Sequence, residues 1–80
     1  MELEKIRETI AGVLKTTPER LWDSVSFRED LDADSLDLIS VISALEDLFA
    51  VRIDESGALR LDTVPDAMTL VEEARAKMKA

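Results

Sequence analysis

The sequence predicts an all-α domain: a four-helix bundle with a long first loop and a short third helix. Glycine and proline occur only twice each in 80 residues, and aromatic residues make up 4% of the chain. A many-stranded sheet needs more turn residues and more aromatic and β-branched residues than this. Hydrophobic residues make up 46% and charged residues 35%, which is typical of a folded chain. At this length we expect one domain, residues 1–80.

The first helix is predicted over Leu3–Lys15, because apolar residues recur there at spacings of three and four. The residue before a proline disfavours the helical region, so Thr17 is expected to end this segment. A long connection, Thr16–Asp34, follows. Long connections are uncommon in small domains unless they pack or function, and the apolar residues of this one predict that it packs over the bundle. Those residues are Leu21, Trp22, Val25, Phe27 and Leu31.

The second helix is predicted over Ser35–Ala50, with one apolar face for the core. That face consists of Leu38, Val41, Ile42, Leu45 and Phe49. Leu36 and Ile39 lie outside it, so this helix carries more apolar surface than one packing face needs. Ile39 fits a wide core stripe or a partner surface equally well, and Leu36 is predicted to be exposed for a partner.

The last third of the chain predicts two further helices. Val51–Ile53 is an extended link, and Glu55–Arg60 predicts a short, weak helix. The final helix is predicted to begin near Pro65. Thr63 and Asp66 have the spacing of a capping box, with Asp in place of the usual Glu or Gln.

Composition excludes several kinds of site. There is no cysteine, hence no disulfide, thiolate nucleophile or cysteine-ligated metal. There is no histidine, the commonest general base and metal ligand. We therefore expect no enzyme activity and no metal.

The net charge of -8 favours basic protein surfaces as partners over nucleic acid or anionic membranes. No apolar run is long enough to span a bilayer. The charged start, Met1–Lys5, lacks the apolar stretch of a signal peptide. The predicted location is the cytoplasm.

Nine of the 18 acidic residues lie between Glu29 and Glu55, where Arg52 is the single basic residue. Such crowding indicates a docking surface for a basic partner, although a charge run is more commonly a solvated face. A calcium loop is not indicated, because the run lacks the glycine and the closing glutamate of that motif.

Asp34-Ser35 is the predicted start of the second helix, and either side chain can accept a first-turn backbone N–H. By itself this pattern requires no chemistry of Ser35. Its surroundings carry more information: Glu29-Asp30-Leu31-x-Ala33 precedes Asp34-Ser35-Leu36, and Asp37 follows.

This segment resembles the acyl carrier protein family, whose modified serine sits in an Asp-Ser-Leu motif at the start of the second helix. The resemblance covers the whole chain without gaps. The positions in register include Phe27, Ala44-Leu45-Glu46-Asp47-x-Phe49, Ile53 and Thr63-Val64.

The resemblance implies that a phosphopantetheinyl transferase moves 4′-phosphopantetheine from coenzyme A onto the Ser35 hydroxyl, beside Asp34 and Leu36. Acyl groups would ride on the arm's thiol as thioesters, which suits a chain without cysteine. The expected partners are acyl-transferring or condensing enzymes with basic docking surfaces, and the carrier is expected to be a monomer. The implied partner-binding residues are Asp37, Ile39, Glu46 and Asp47, with Leu36 as an apolar contact. The implied acyl-pocket lining, for which ordinary core is the competing interpretation, is Phe27, Leu45, Ile53, Leu59, Leu61 and Ala67.

Some positions depart from the family pattern. Asp32 stands where glycine is frequent, and Ser40 and Leu48 replace acids common in fatty-acid members. These departures favour a specialised carrier for fatty-acid or polyketide-type biosynthesis. Two alternatives remain: a carrier of aminoacyl or peptidyl cargo, whose usual Gly-Gly-His/Asp-Ser pattern is absent, and an unmodified helical interaction domain in which Ser35 is only a cap.

Overall fold

The computed structural model describes residues 2–54 and 56–79, and confirms the predicted four helices. A 3₁₀ turn at Pro18–Arg20 lies in the long first loop. The helices are α1 (Glu2–Val13), α2 (Ser35–Phe49), α3 (Gly57–Arg60) and α4 (Val64–Lys79). No helix of the described residues is both long enough and apolar enough to cross a membrane.

The core lies between α1, α2 and α4, and α2 also contacts α3. Four of the five α2 residues predicted to face the core are fully buried, and Phe49 packs against them with partial exposure. The long loop packs over the bundle through the buried side chains of Leu21 and Phe27. Trp22, which was predicted to pack with them, is instead 68% exposed. The fully enclosed large side chains are Phe27, Ile6, Ile10, Leu21, Leu38, Leu45, Leu61, Val41, Val64 and Val71.

Helix α1 ends two residues before the predicted Lys15, for a reason other than the proline. Lys15 adopts a left-handed conformation with φ of 57°. Its N–H donates to Gly12 O, and the next N–H, of Thr16, donates to Ala11 O at 2.9 Å. This pair of bonds is a Schellman motif, which satisfies the last carbonyls of the helix. Pro18 instead begins the 3₁₀ turn.

Two polar residues fasten the long loop to the segment between α3 and α4. The Asp62 carboxylate accepts hydrogen bonds from Ser26 Oγ at 2.8 Å and from Arg28 N at 3.3 Å. The backbone carbonyl of Asp62 also accepts a hydrogen bond from Phe27 N at 2.7 Å. Arg28 Nη2 donates to Ala58 O at 2.8 Å. These bonds fix the loop that leads into α2.

The second half of the chain follows the prediction closely. The Thr63–Asp66 capping box is confirmed: Asp66 N donates to Thr63 Oγ1 at 3.3 Å, and Thr63 N donates to Asp66 Oδ2 at 3.1 Å. Helix α4 therefore begins at Val64, one residue before the predicted start. Helix α3 begins at Gly57, later than the predicted Glu55, which lies outside the described residues.

Candidate functional site at the start of α2

Ser35 is the first residue of α2, and its side chain is exposed. The N-cap is Asp34, whose Oδ1 accepts from Asp37 N at 2.9 Å, while Asp37 Oδ2 accepts from Asp34 N at 3.1 Å. The sequence allowed either Asp34 or Ser35 as the cap, and this reciprocal capping box identifies Asp34. Among the described residues, the Ser35 hydroxyl has no hydrogen-bond partner. It is therefore available for chemistry.

The backbone at this helix start suits an anionic substituent on Ser35. The N–H groups of Ser35 and Leu36 precede the first intrahelical hydrogen bond, from Leu38 N to Asp34 O. Such N–H groups and the positive end of the helix dipole favour phosphate. The capping carboxylates act in the opposite direction. A phosphodiester on Ser35 fits this position because its oxygens would meet open N–H groups and solvent.

The turn before Ser35 depends on Asp32, which has φ of 58°. Aspartate tolerates left-handed geometry better than most residues, which explains how Asp32 can stand where the family frequently has glycine. The turn is closed by Ala33 N, which donates to Phe27 O at 2.9 Å. Phe27 is completely buried, so the core anchors the loop that presents Ser35.

A groove of about 670 Å³ runs from Ser35 along α2 and is closed on its other side by the α3 region. Ser35 and Glu46 lie eleven positions apart and both line it, so the groove follows roughly 16 Å of helix at 1.5 Å per residue. The wall is mostly apolar, with a few polar groups. Its lining residues are Arg28, Ser35, Leu38, Ile39, Ile42, Ser43, Glu46, Ile53, Ser56, Ala58 and Leu59.

Two of the six residues predicted for an acyl pocket, Ile53 and Leu59, line this groove. The other four are fully enclosed in the core: Phe27, Leu45, Leu61 and Ala67. Leu38 and Ile42, predicted for the core, are buried there and also line the groove. Ile39, which the sequence allowed on a core stripe or on a partner surface, is exposed and lines the groove as well. The spacing of Ser35, Ile39, Ile42 and Glu46 by four, three and four residues places them on one face of a helix. That spacing could have indicated the groove.

Of the side chains predicted for the partner surface, some are exposed and others accept hydrogen bonds from the backbone. Leu36 is 73% exposed and Ile39 53% exposed, so Ile39 is not core. Asp47 is also exposed. Asp37 belongs to the capping box, and Glu46 Oε2 accepts from Ile53 N at 2.9 Å.

The acidic run serves the fold in part. Asp30 Oδ2 accepts from Ser26 N at 2.8 Å, in addition to the backbone bonds of Asp34, Asp37 and Glu46. Glu29, Asp32 and Asp47 are exposed to solvent. The run therefore has two parts. Some carboxylates hold turns and caps, which neither interpretation of the run included, while others face outward.

Comparison with known proteins gives a consistent result. The family described as "phosphopantetheine attachment site" matches residues 4–73. Acyl carrier protein 3 of Ralstonia nicotianae is 44% identical over 78 residues, which cover 98% of this chain and 90% of that protein. The acyl carrier protein of Thermosynechococcus vestitus is 42% identical over 69 residues, covering 86% and 85%. A chain in the solved structure of the ishigamide ketosynthase/chain length factor superposes with a TM-score of 0.76 at 32% identity, covering 91% and 92%.

The fold and the exposed serine at the start of α2 thus define a helical domain with a phosphopantetheine attachment site. The chain belongs to the acyl carrier protein family. It carries acyl groups on a covalently attached 4′-phosphopantetheine arm for fatty-acid or polyketide-type biosynthesis, and it is a carrier rather than an enzyme. Its partners are the synthase and condensing enzymes of that biosynthesis.

Proposed function

We propose that Ser35 Oγ is the atom that bears the arm. The transfer forms an Oγ–P bond to the phosphopantetheine phosphorus of coenzyme A, breaks the pyrophosphate bond, and releases adenosine 3′,5′-bisphosphate and the hydroxyl proton. The observation that carries this proposal is the exposed Ser35 hydroxyl, left free because Asp34 caps the helix. The groove beginning at Ser35 supports it, since a cargo on a flexible arm can fold back onto α2.

Intact mass before and after incubation with coenzyme A and a broad-specificity phosphopantetheinyl transferase tests this assignment. We expect one phosphopantetheine on the unmodified wild type and none on Ser35→Ala. Ser40→Ala is the matched control, because Ser40 is an exposed serine later in the same helix, and it should load like the wild type. Loading of Ser35→Ala would refute the site.

We also propose that partner enzymes dock on the surface formed by Leu36, Ile39 and Asp47, beside Ser35. The two apolar side chains are largely exposed, which is typical of a contact surface when such residues cluster. Asp47 supplies a charge to which a basic surface can orient. The phosphopantetheinyl transferase is proposed to use the same surface, since it must reach the serine.

Transfer kinetics separate the apolar and charged parts of this surface. Leu36→Ala should lower the rate of arm loading at any salt concentration, because it removes apolar contact area. Asp47→Lys should lower the rate mainly at low ionic strength, because salt screens an exposed charge. Trp22→Ala changes an exposed apolar side chain of the long first loop, outside α2, and serves as control. If Leu36→Ala and Trp22→Ala load equally fast, the docking surface is wrongly placed.

We propose further that the chain is a specialised carrier. Its acyl-transferring or condensing partners are then not the enzymes of housekeeping fatty-acid synthesis. Ser40 and Leu48, in place of acids common in fatty-acid members, support this, as does the similarity to a chain from a ketosynthase/chain length factor structure. Condensation assays with a ketosynthase of housekeeping fatty-acid synthesis and with a ketosynthase/chain length factor would decide between these two kinds of partner. The monomeric state, the single domain of residues 1–80 and the cytoplasmic location stay predictions, which sedimentation, limited proteolysis and cell fractionation can check.

A further inference from the structure

Arg28 places a charged side chain in the wall of the groove that begins at Ser35. Its Nη2 donates to Ala58 O at 2.8 Å and to Leu59 O at 3.4 Å. Its Nη1 lies 3.7 Å from Asp62 Oδ1, and about 40% of the side chain is exposed. The guanidinium is therefore held beside the α3 wall by fixed partners rather than extended into solvent.

This guanidinium retains donors for a guest molecule. A guanidinium has five N–H groups, and the hydrogen bonds that its side chain makes within the described residues use Nη2 only. Two further polar residues, Ser43 and Ser56, line the same groove. A methylene chain laid against these groups would remove them from water without offering an acceptor, which is unfavourable. An oxygen acceptor on the guest would form a charge-assisted hydrogen bond instead.

The opposite wall is different in character. Leu38, Ile39 and Ile42 of α2 present apolar surface to the groove. A guest with an apolar chain and an oxygen substituent would match both walls, with its chain against α2 and its oxygen towards Arg28.

We propose that the groove favours acyl cargo bearing an oxo or hydroxyl group over a plain alkyl chain, and that Arg28 is the residue that determines this specificity. The proposal rests on attachment of the arm to Ser35. The arm itself contains phosphate and amide oxygens, which are also acceptors, so the experiment must separate arm from cargo.

The experiment loads the wild type with coenzyme A analogues that carry amide-linked octanoyl or 3-oxooctanoyl cargo, and measures Tm for the unmodified, arm-only and two loaded forms. We expect the 3-oxooctanoyl form to melt at least roughly 6–12 °C above the octanoyl form, as one added hydrogen bond to a charged group in a domain of this size would produce. In Arg28→Val the order should reverse. Comparing two cargoes on one variant cancels the loss of the Ala58 and Leu59 bonds, which affects both forms equally.

Arg52→Val is the matched control, because Arg52 is exposed and does not line this groove; it should keep the wild-type order. Equal Tm values for the two cargoes, or the same preference in Arg28→Val as in the wild type, would overturn the proposal. If arm-only loading shifts the Arg28 side-chain NMR signal as much as 3-oxooctanoyl loading does, Arg28 binds the arm and the cargo assignment is wrong. Absence of any mass increase would instead refute attachment at Ser35, and the specificity proposal with it.

Discussion

Asp34 and Ser35 are neighbours in the chain but differ in what their side chains contact. The Asp34 carboxylate bonds the N–H three residues on, so it stabilises the first turn of α2. The Ser35 hydroxyl makes no such bond among the residues that the structure describes. Because the stabilising group and the proposed attachment group are separate, attachment of an arm to Ser35 would leave the helix cap intact.

The two side chains should therefore differ in their effect on stability. Asp34→Ala removes the cap and should lower the free energy of unfolding by roughly 0.5–2 kcal/mol. Ser35→Ala should change it by less than about 0.5 kcal/mol, because surface substitutions away from such features are small. Urea denaturation of both unmodified variants measures this difference. An equal loss in the two variants would mean that Ser35 shares the cap.

Left-handed residues other than glycine mark the ends of α1 and α2. Ala50 has φ of 53° and ψ of 47°, and Val51 N donates to Glu46 O at 3.2 Å. This conformation costs an L-residue roughly 1–2 kcal/mol, whereas glycine adopts it readily. Ala50 thus ends α2 one residue before the predicted boundary at some expense in stability.

Ala50→Gly should raise the free energy of unfolding by about 0.5–1 kcal/mol, which is the strain relieved less the entropy that glycine loses on folding. Ala44→Gly, in the interior of the same helix, should lower it by about 1 kcal/mol. Thermal and urea unfolding of both variants check the opposite signs. Destabilisation by Ala50→Gly would contradict the assigned left-handed geometry.

At the scale of elements, the short α3 is held close to its neighbours by Gly57. A Cβ built on Gly57 would lie 2.9 Å from the Ile53 Cγ2 methyl and 3.4 Å from Leu70 Cδ2. The Ile53 methyl is branched at Cβ and cannot swing away easily. The absence of a side chain at Gly57 therefore permits the close packing that forms one side of the groove.

The two glycines of the chain should respond to alanine in opposite ways. Gly57→Ala should destabilise the fold by roughly 1–3 kcal/mol through overpacking. Gly12→Ala should stabilise it by about 0.5–1 kcal/mol, because a Cβ on Gly12 of α1 would meet nothing within 4 Å and alanine is the better helix former. Differential scanning calorimetry distinguishes them. A stabilised Gly57→Ala would show that α3 can move outward.

At the scale of the whole molecule, exposed ion pairs join α4 to the first helix and to the helix that precedes it. Arg75 of α4 pairs with Glu2 of α1 and stacks 4.9 Å from the centre of the Phe49 ring. Arg60 of α3 pairs with Glu73 of α4 at 3.0 Å. The hydrogen bond from Arg60 lowers the pKa of Glu73 below its ordinary value of 4.5, and that from Arg75 lowers the pKa of Glu2.

A carboxylate whose pKa is lower in the folded state than in the unfolded state stabilises the fold at pH values above its unfolded-state pKa. This stabilisation is lost as the pH falls through the folded-state pKa. The Tm difference between wild type and Glu73→Gln should therefore be fully present at neutral pH and should shrink as the pH falls below about 4.5. Melting curves between pH 7 and pH 3 measure it. Glu8→Gln, which removes an exposed carboxylate without breaking an ion pair of the described residues, is the control. A difference that stays constant with pH would mean that the pair contributes nothing.

Periodicity was sufficient for the helices and resemblance indicated Ser35 as the candidate attachment site, but neither separated enclosed core residues from those that line the groove. Leu45 and Leu61, for which pocket lining and ordinary core were competing interpretations, are enclosed in the core, whereas Ile42 is buried as predicted and also lines the groove. Spacing along one helix shows which residues share a face. It does not show how closely a second element approaches that face.

The sequence by itself determined three long helices through their apolar spacing and the Thr63–Asp66 cap, because these depend on residues within a few positions of one another. Asp34-Ser35-Leu36 indicated Ser35 only through the resemblance to the acyl carrier protein family, and attachment there stays a proposal. Only the tertiary structure decided that Asp34 rather than Ser35 is the cap, that Asp37 and Glu46 hold backbone groups, and that Arg28 lines a groove with Ser35. These features depend on backbone angles at a helix boundary or on contacts between different segments of the chain. The local sequence pattern contains neither kind of information.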